Sequence, residues 1–160
     1  LGLDGNSIRS QGVVTIQPDY TIDNCPRADI VVFVGGNGSN SAANPKVQAW
    51  IKKIAPQTKQ FFTVCTGAFF LAEAGLLKGQ TVTTFHHAID DLRKKCPDAT
   101  VLDDVRYVDN GRIVTTAGIS AGIDGALHLV HRMLGKELAD AVAVELEYDY
   151  WQADRGLLLH

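Results

Sequence analysis

Residues 61–77 read FFTVCTGAFFLAEAGLL, and the change of pattern inside this stretch decides the fold. Phe61–Val64 form an unbroken apolar run, as expected for a strand covered on both faces of a parallel sheet. TGAFFLAEAGLL (66–77) then reads as a helix, with small residues at its start and Gly75 near its end. Cys65 stands between the two. A residue squeezed between a buried strand and a helix is forced into a tight turn, which exposes its side chain above the sheet. The helix behind it aims free N–H groups and its positive dipole end at the sulfur, an arrangement that favours a nucleophilic sulfur. The bland alternative is a buried core cysteine. Against it, the apolar run stops at Val64, and Gly67 has no packing rationale in a simple core segment.

Outward from this elbow, strands and helices alternate. VVTIQP (13–18) reads as a short strand and ADIVVFVGG (28–36) as a stronger one, ending in the permissive turn Gly35-Gly36-Asn37-Gly38. PKVQAWIKKIA (45–55) is a helix with Pro45 at its first position and Val47, Trp50, Ile51 and Ile54 on one face. QTVTTF (80–85) is a third buried-type strand and HHAIDDLRKKC (86–96) a polar-faced helix. ATVLDDVRYVDNGRIVTTAG (99–118) holds two or three short strands, with Asp109-Asn110-Gly111 a type I′ hairpin signal. SAGIDGALHLVHRMLG (120–135) is a long helix whose apolar stripe is Ile123, Leu127, Val130 and Leu134. KELADAVAVELEYDY (136–150) is the last helix. WQADRGLLLH (151–160) has no evident role, and LGLDGNSIRSQG (1–12) contains turn and breaker residues.

Such alternation implies an α/β fold: a three-layer sandwich of flavodoxin-like type, its mostly parallel sheet covered by helices on both faces. In these sheets the active site lies beyond the carboxyl ends of the strands. Both the Gly35-Gly36 pair and Cys65 fall there.

The bulk properties narrow the function. With 160 residues the chain suits one domain spanning 1–160. Its net charge of −3 carries no polycationic signature, so no nucleic-acid partner is expected of this chain. No apolar run approaches the roughly 18 residues of a membrane span, and no charged-then-apolar leader is readable, so no membrane association is expected. Its 3 cysteines, Cys25, Cys65 and Cys96, are odd in number and lack CxxC spacing, which argues against a disulfide scaffold and a structural zinc. A reducing cytoplasm is the expected compartment, with no metal and no cofactor.

Three separated stretches, ADIVVFVGGNG (28–38), VCTGAFFLAEAGLLKGQTVTT (64–84) and VDNGRIVTTAGISAGIDGALHLV (108–130), together resemble the ThiJ/PfpI family of the class I glutamine-amidotransferase-like fold. Within it the elbow and the TTAGISAGID stretch are most similar to isocyanide hydratases, and equally to sensor domains of AraC-type transcriptional regulators. The resemblance implies that Cys65 is the nucleophile, that the backbone N–H groups of Gly36 and Thr66 form an oxyanion pocket, and that Gly118 and Ile119 wall it. Thr66 after the nucleophile matches the hydratase-like branch. Asp124 fits the AGID signature, although an acid near a helix start that satisfies free N–H groups explains it as well. Many members carry His where this chain has Phe85. His86 is the nearest candidate base, with a solvent-facing pair of histidines as the plainer reading, and His128 and His131 are expected to be exposed or interfacial.

The resemblance also implies an amino-terminal strand and helix bearing an acid that hydrogen-bonds the cysteine sulfur. Neither Asp4 nor Asp23 lies in the matching motif, so the domain is expected to be amino-terminally incomplete, with an exposed sheet edge. Three functions stay open: hydration of a small isocyanide, ligand sensing in an AraC-type regulator, and a stress-related thiol protein acting on glyoxal-type carbonyls or peroxide. The implied partners are a small-molecule substrate and a second copy in a homodimer.

Overall fold

The computed structural model describes residues 1–10, 13–36 and 39–160; Asn37 and Gly38 of the expected turn lie outside these. The strands are β1 (Ile8–Ser10), β2 (Val14–Ile16), β3 (Ile30–Phe33), β4 (Gln60–Val64), β5 (Thr81–Val82), β6 (Thr100–Val101), β7 (Tyr107–Asp109), β8 (Ile113–Thr116) and β9 (Leu157–Leu158). The helices are α1 (Ser39–Ala42), α2 (Pro45–Ile54), α3 (Ala68–Glu73), α4 (Ile89–Lys95), α5 (Ala121–Leu134) and α6 (Lys136–Glu145). Five strands form the central sheet in the order β3-β4-β8-β7-β9. β3, β4 and β8 run parallel, β7 is antiparallel to β8, and β9 is parallel to β7. The mostly parallel α/β architecture is thus present.

Alternation along the strands sends side chains to two layers. Val31, Phe33, Phe61 and Ile113 enter a core shared with Ile51 of α2, Leu71 of α3 and Leu92 of α4. On the opposite face Phe62, Val64 and Val114 pack against Leu129 of α5. α6 packs against α5. β3 forms the sheet edge, and Ile30, Val32 and Val34 are exposed. Val32 is aligned with Phe62, so these residues share the face that α5 covers farther along the sheet.

Several elements differ from the sequence reading, each for a local reason. QTVTTF pairs only through Thr81 and Val82 with β6, outside the central sheet. At Thr83 the N–H donates to Thr115 Oγ1, a side chain, which ends the regular ladder. In the amino-terminal segment β1 pairs antiparallel with β2, the expected short strand, as a small ribbon apart from the central sheet. α3 is shorter than expected because Gly75, at φ 74°, closes it. The Gly75 N–H bonds Ala72 O and the Leu76 N–H bonds Leu71 O, the Schellman pattern. The loop between β7 and β8 has positive φ only at Gly111, so the type I′ turn, which requires two such residues, does not form. The tail supplies β9.

α5 departs most. Ile123 and Leu134 of its expected stripe are exposed, and the buried face instead carries Ala121, Gly122, Asp124, Gly125, Leu127, His128 and Leu129. A Cβ on Gly122 would stand 2.7 Å from Val64 Cγ1, and one on Gly125 2.4 Å from Thr116 Cγ2. Small residues let the helix lie close to the sheet, which fixes the buried face irrespective of the Ile and Leu pattern.

Candidate active site

Cys65 sits where β4 ends, and its backbone takes the left-handed conformation at φ 58°. That region is uncommon for a residue with a side chain and marks local strain. Neighbours on three sides hold it. The Cys65 N–H donates to Ala117 O at 3.2 Å, continuing the ladder with the strand beside it. Its carbonyl accepts from Thr84 Oγ1 at 2.8 Å and from the Ala68 N–H that follows the single 3₁₀ turn Cys65–Gly67. On the third side lies Gly35. A Cβ there would stand 2.6 Å from Cys65 Cβ, 3.0 Å from Sγ and 3.1 Å from the Thr66 nitrogen. Only a residue without a side chain lets the end of β3 approach the thiol this closely.

Gly67 has a packing role that the sequence reading missed. It is buried, and a Cβ would stand 2.1 Å from Phe33 O. The turn and the end of β3 are therefore pressed together at Gly35 and Gly67, which fixes where Cys65 stands. The first glycine of the Gly-Gly pair carries the contact with the sulfur, whereas the family resemblance points to the second.

Gly36 is bound to the elbow by a reciprocal contact. Its N–H donates to Thr66 Oγ1 at 3.0 Å, and the same hydroxyl donates to Gly36 O at 2.9 Å. In this arrangement the Gly36 N–H is occupied by the threonine side chain, and the Thr66 backbone N–H lies on the Gly35 side of the elbow. Gly118 follows Ala117 and packs on Phe85, with the position of a Cβ only 2.5 Å from the ring. Ile119 is 81% exposed and left-handed at φ 47°. Of the three left-handed residues with side chains among those described, Cys65 and Ile119 thus flank the same Ala117–Gly118 segment, while Glu147 follows α6. Strain at a β-branched residue is an observation from which function can be argued.

His86 and Asp124 are not brought to the sulfur by hydrogen bonds. His86 is exposed and stacks edge-on against Phe85 and His87, with centroid distances of 4.3 and 4.0 Å. Asp124 is fully buried, but it does not satisfy helix N–H groups. Its carboxylate pairs with Arg106 Nε and accepts from Tyr148 Oη at 3.2 Å, while Arg106 Nη2 donates to Ser120 Oγ at 3.2 Å. Asp124 thereby ties the start of α5 to the segment before β7. Among the described residues no hydrogen bond reaches Cys65 Sγ, and no group of three or more His, Cys, Asp or Glu side chains is placed to hold a metal. A cavity of about 520 Å³ runs along the open edge strand and reaches Gly35, and another of about 460 Å³ lies farther along that strand; Cys65 lines neither.

His128 is not exposed, contrary to the sequence reading. It is buried on α5, its Nε2 is 2.6 Å from Asp109 Oδ2, and Tyr107 stacks on its ring at 4.7 Å. Arg132, one turn on, donates from Nη1 to both Asp109 oxygens at 2.8 and 2.7 Å, and from Nη2 to Gln60 Oε1. Gln60 opens β4 and Asp109 closes β7. The cluster therefore occupies the end of the sheet opposite Cys65. The i, i+4 spacing of His128 and Arg132 on one face of α5 was the readable signal.

Comparison with known proteins places these features in context. The sequence model of the DJ-1/PfpI family matches residues 1–132. The chain is 34% identical over 142 residues to an isonitrile hydratase of Pseudomonas putida, a match covering 88% of this chain and 61% of that protein. It is 30% identical over 149 residues to the HTH-type transcriptional regulator GbdR of Pseudomonas aeruginosa, covering 93% of this chain and 40% of the regulator. A solved structure of a ThiJ/PfpI family protein from Pseudomonas syringae superposes with a TM-score of 0.81 at 27% identity, covering 91% of this chain and 60% of that one. The chain thus spans less than two thirds of the length of each of these relatives. Among the described residues no helix is long and apolar enough to cross a membrane.

Proposed function

The chain belongs to the DJ-1/PfpI family, and from that premise we propose that it is the nucleophile-bearing domain of an isocyanide hydratase-type enzyme. The observation that carries the reading is Cys65 itself: a strained left-handed cysteine at a strand end, its sulfur against a glycine and, among the described residues, free of hydrogen bonds. An unsatisfied sulfur in an over-determined turn suits covalent catalysis better than packing.

On this reading the chain supplies the nucleophile. Cys65 Sγ attacks the terminal carbon of a small isocyanide, the carbon gains a proton, and a thioimidate forms. Water then adds to that carbon while the nitrogen takes a proton, the carbon–sulfur bond breaks, the sulfur regains a proton, and an N-formamide leaves. The Thr66 N–H is the donor beside the reacting centre, and Gly36 contributes its own N–H when the Thr66 hydroxyl turns away. Gly118 and Ile119 wall the pocket. The acid that moves the protons is assigned to none of the residues 1–160. Catalysis is expected of a homodimer of the full-length protein acting on a small molecule in the cytoplasm.

Incubation of the full-length protein with cyclohexyl isocyanide tests the proposal. N-cyclohexylformamide should accumulate with the wild type, and none should form with Cys65→Ser. Turnover that survives the substitution would remove Cys65 from the mechanism. A second reading is favoured by the 30% identity with GbdR across 93% of the chain: a sensor domain that binds a small molecule without converting it. Saturable ligand binding without product, in a protein whose sequence continues into a basic two-helix module, would select it.

A further inference from the structure

Thr84 is 1% exposed and lies just beyond β5, outside the central sheet, yet its hydroxyl reaches across to the Cys65 carbonyl at 2.8 Å. Among the described residues it is the one side chain that hydrogen-bonds the Cys65 backbone. The bond has a consequence beyond the carbonyl. The Cys65–Thr66 peptide is trans, so its C=O and N–H point in opposite directions within one rigid plane. A hydroxyl that fixes the carbonyl also fixes the direction of the Thr66 N–H. That nitrogen lies 3.1 Å from where a Cβ of Gly35 would stand, a point itself 3.0 Å from Sγ.

We propose that Thr84 is a positioning residue: its hydroxyl locks the Cys65–Thr66 peptide plane so that the Thr66 N–H faces the place where negative charge develops as Cys65 attacks. Pre-set donors of this kind act because they need no reorganisation when charge appears. The Ala68 N–H also bonds the Cys65 carbonyl, but it belongs to the same turn and moves with it. Thr84 anchors the plane to a separate part of the core, where the Thr83 N–H is tied to Thr115 Oγ1 and Thr83 Oγ1 to Leu102 O. The inference rests on Cys65 being the nucleophile.

Two reagents on the full-length protein separate the possibilities. p-Nitrophenyl acetate acylates a thiolate through an oxyanion: the sulfur–carbon bond forms, the carbon–oxygen bond breaks, and p-nitrophenolate leaves with the electron pair. Iodoacetamide alkylates the same sulfur by displacing iodide and develops no oxyanion. In Thr84→Val the acylation of Cys65 should slow at least ~10-fold while alkylation stays within about threefold of wild type. Thr84→Ser should restore acylation to within about threefold of wild type. Equal slowing of both reactions in Thr84→Val, or unchanged acylation, overturns the inference. Should Thr84→Val fail to fold, Thr84→Ala replaces it, and acylation by Thr84→Ala as fast as by Thr84→Ser also overturns the inference. If wild-type Cys65 reacts with neither reagent ahead of Cys25, the nucleophile assignment itself falls.

Discussion

The two ends of the central sheet carry polar constellations built on opposite principles. At the carboxyl end of β4, Cys65 is held by neutral partners: the Ala117 carbonyl, the Thr84 hydroxyl and the Ala68 N–H. The backbone there is strained, and among the described residues the sulfur has no hydrogen-bond partner. At the other end Asp109 is fully buried and saturated, receiving the Gly111 N–H at 2.7 Å, both Arg132 contacts and His128. Burial pushes the Asp109 carboxyl upward, but the His128 bond, the Gly111 N–H and Arg132 outweigh it and hold it below its ordinary value. The His128 Nδ1 is buried without a partner, so a ring proton on Nε2, facing Asp109, leaves no buried donor stranded. The Cys65 turn fixes a backbone geometry through neutral bonds; the Asp109 cluster satisfies a buried charge. The contrast is local: the turn at Cys65 is held without charges, whereas Asp109 is held by charged partners, and a part-buried ion pair, Arg106 with Asp124, stands at the Cys65 end as well.

The largest expected effect breaks the comparison from the reactive side. Cys65→Ser should remove all turnover and all selective labelling while the thermal midpoint stays near wild type, because the sulfur holds nothing together. Arg132→Met should do the reverse. It leaves Asp109 charged and buried with one cation fewer, a loss expected to cost about 3–5 kcal/mol, measured by urea unfolding, with Cys65 alkylation unchanged in the folded protein. The pH dependence carries the same sign. A carboxyl held low in the folded state adds stability above its unfolded value, about 3.9, and that stability is lost as pH falls through the folded value. Without Arg132 the acid limb should therefore begin at higher pH.

Gly67→Ala tests the elbow's packing at smaller magnitude. The added carbon would fall 2.1 Å from Phe33 O, a backbone atom that cannot swing aside, so the end of β3 must shift. A cost of about 1–3 kcal/mol is expected, as for other over-packed sites. Because β3 also carries Gly35 against the sulfur, slower Cys65 alkylation should accompany the lost stability. A variant that loses stability but alkylates at the wild-type rate would uncouple the two glycines.

The fold was legible where one residue type carries the signal. Buried parallel strands announce themselves as apolar runs, so β3 and β4 stood out in the sequence, and Pro45 marked the start of α2. The address of the elbow was legible because an apolar run ends at a cysteine followed by small residues. What was hidden depends on close approach. That Gly35 touches the sulfur, that Gly67 meets Phe33, and that α5 buries its glycines and Asp124 instead of Ile123 all follow from backbones coming within one Cβ of each other. Periodicity does not encode such distances. The Thr84 hydroxyl was hidden for a related reason: a threonine in a strand-like run reads as β-propensity, and its partner lies 19 residues away.

The smallest effect sharpens the comparison at the saturated end. Tyr107 is fully buried; its hydroxyl donates to Ala153 O at 3.3 Å and its ring stacks on His128. Tyr107→Phe keeps the stacking and removes the long hydrogen bond, so at pH 7 it should cost only about 0.5–1.5 kcal/mol. The alkaline limb is more telling. Burial, reinforced by the carboxylates of Asp124, Asp109 and Asp154, pushes the Tyr107 hydroxyl up to about 12. A group raised in the folded state adds stability that is fully present below its unfolded value, about 10 for tyrosine, and is lost as pH rises through the folded value. Wild-type protein should therefore lose stability between roughly pH 10 and 12 through this residue, and Tyr107→Phe should flatten that part of the urea-midpoint profile. An unchanged alkaline slope in the Phe variant would mean that Tyr107 ionises as freely folded as unfolded. The packing around Asp109 would then be looser than the saturated end requires, and the contrast with the elbow would weaken from that side.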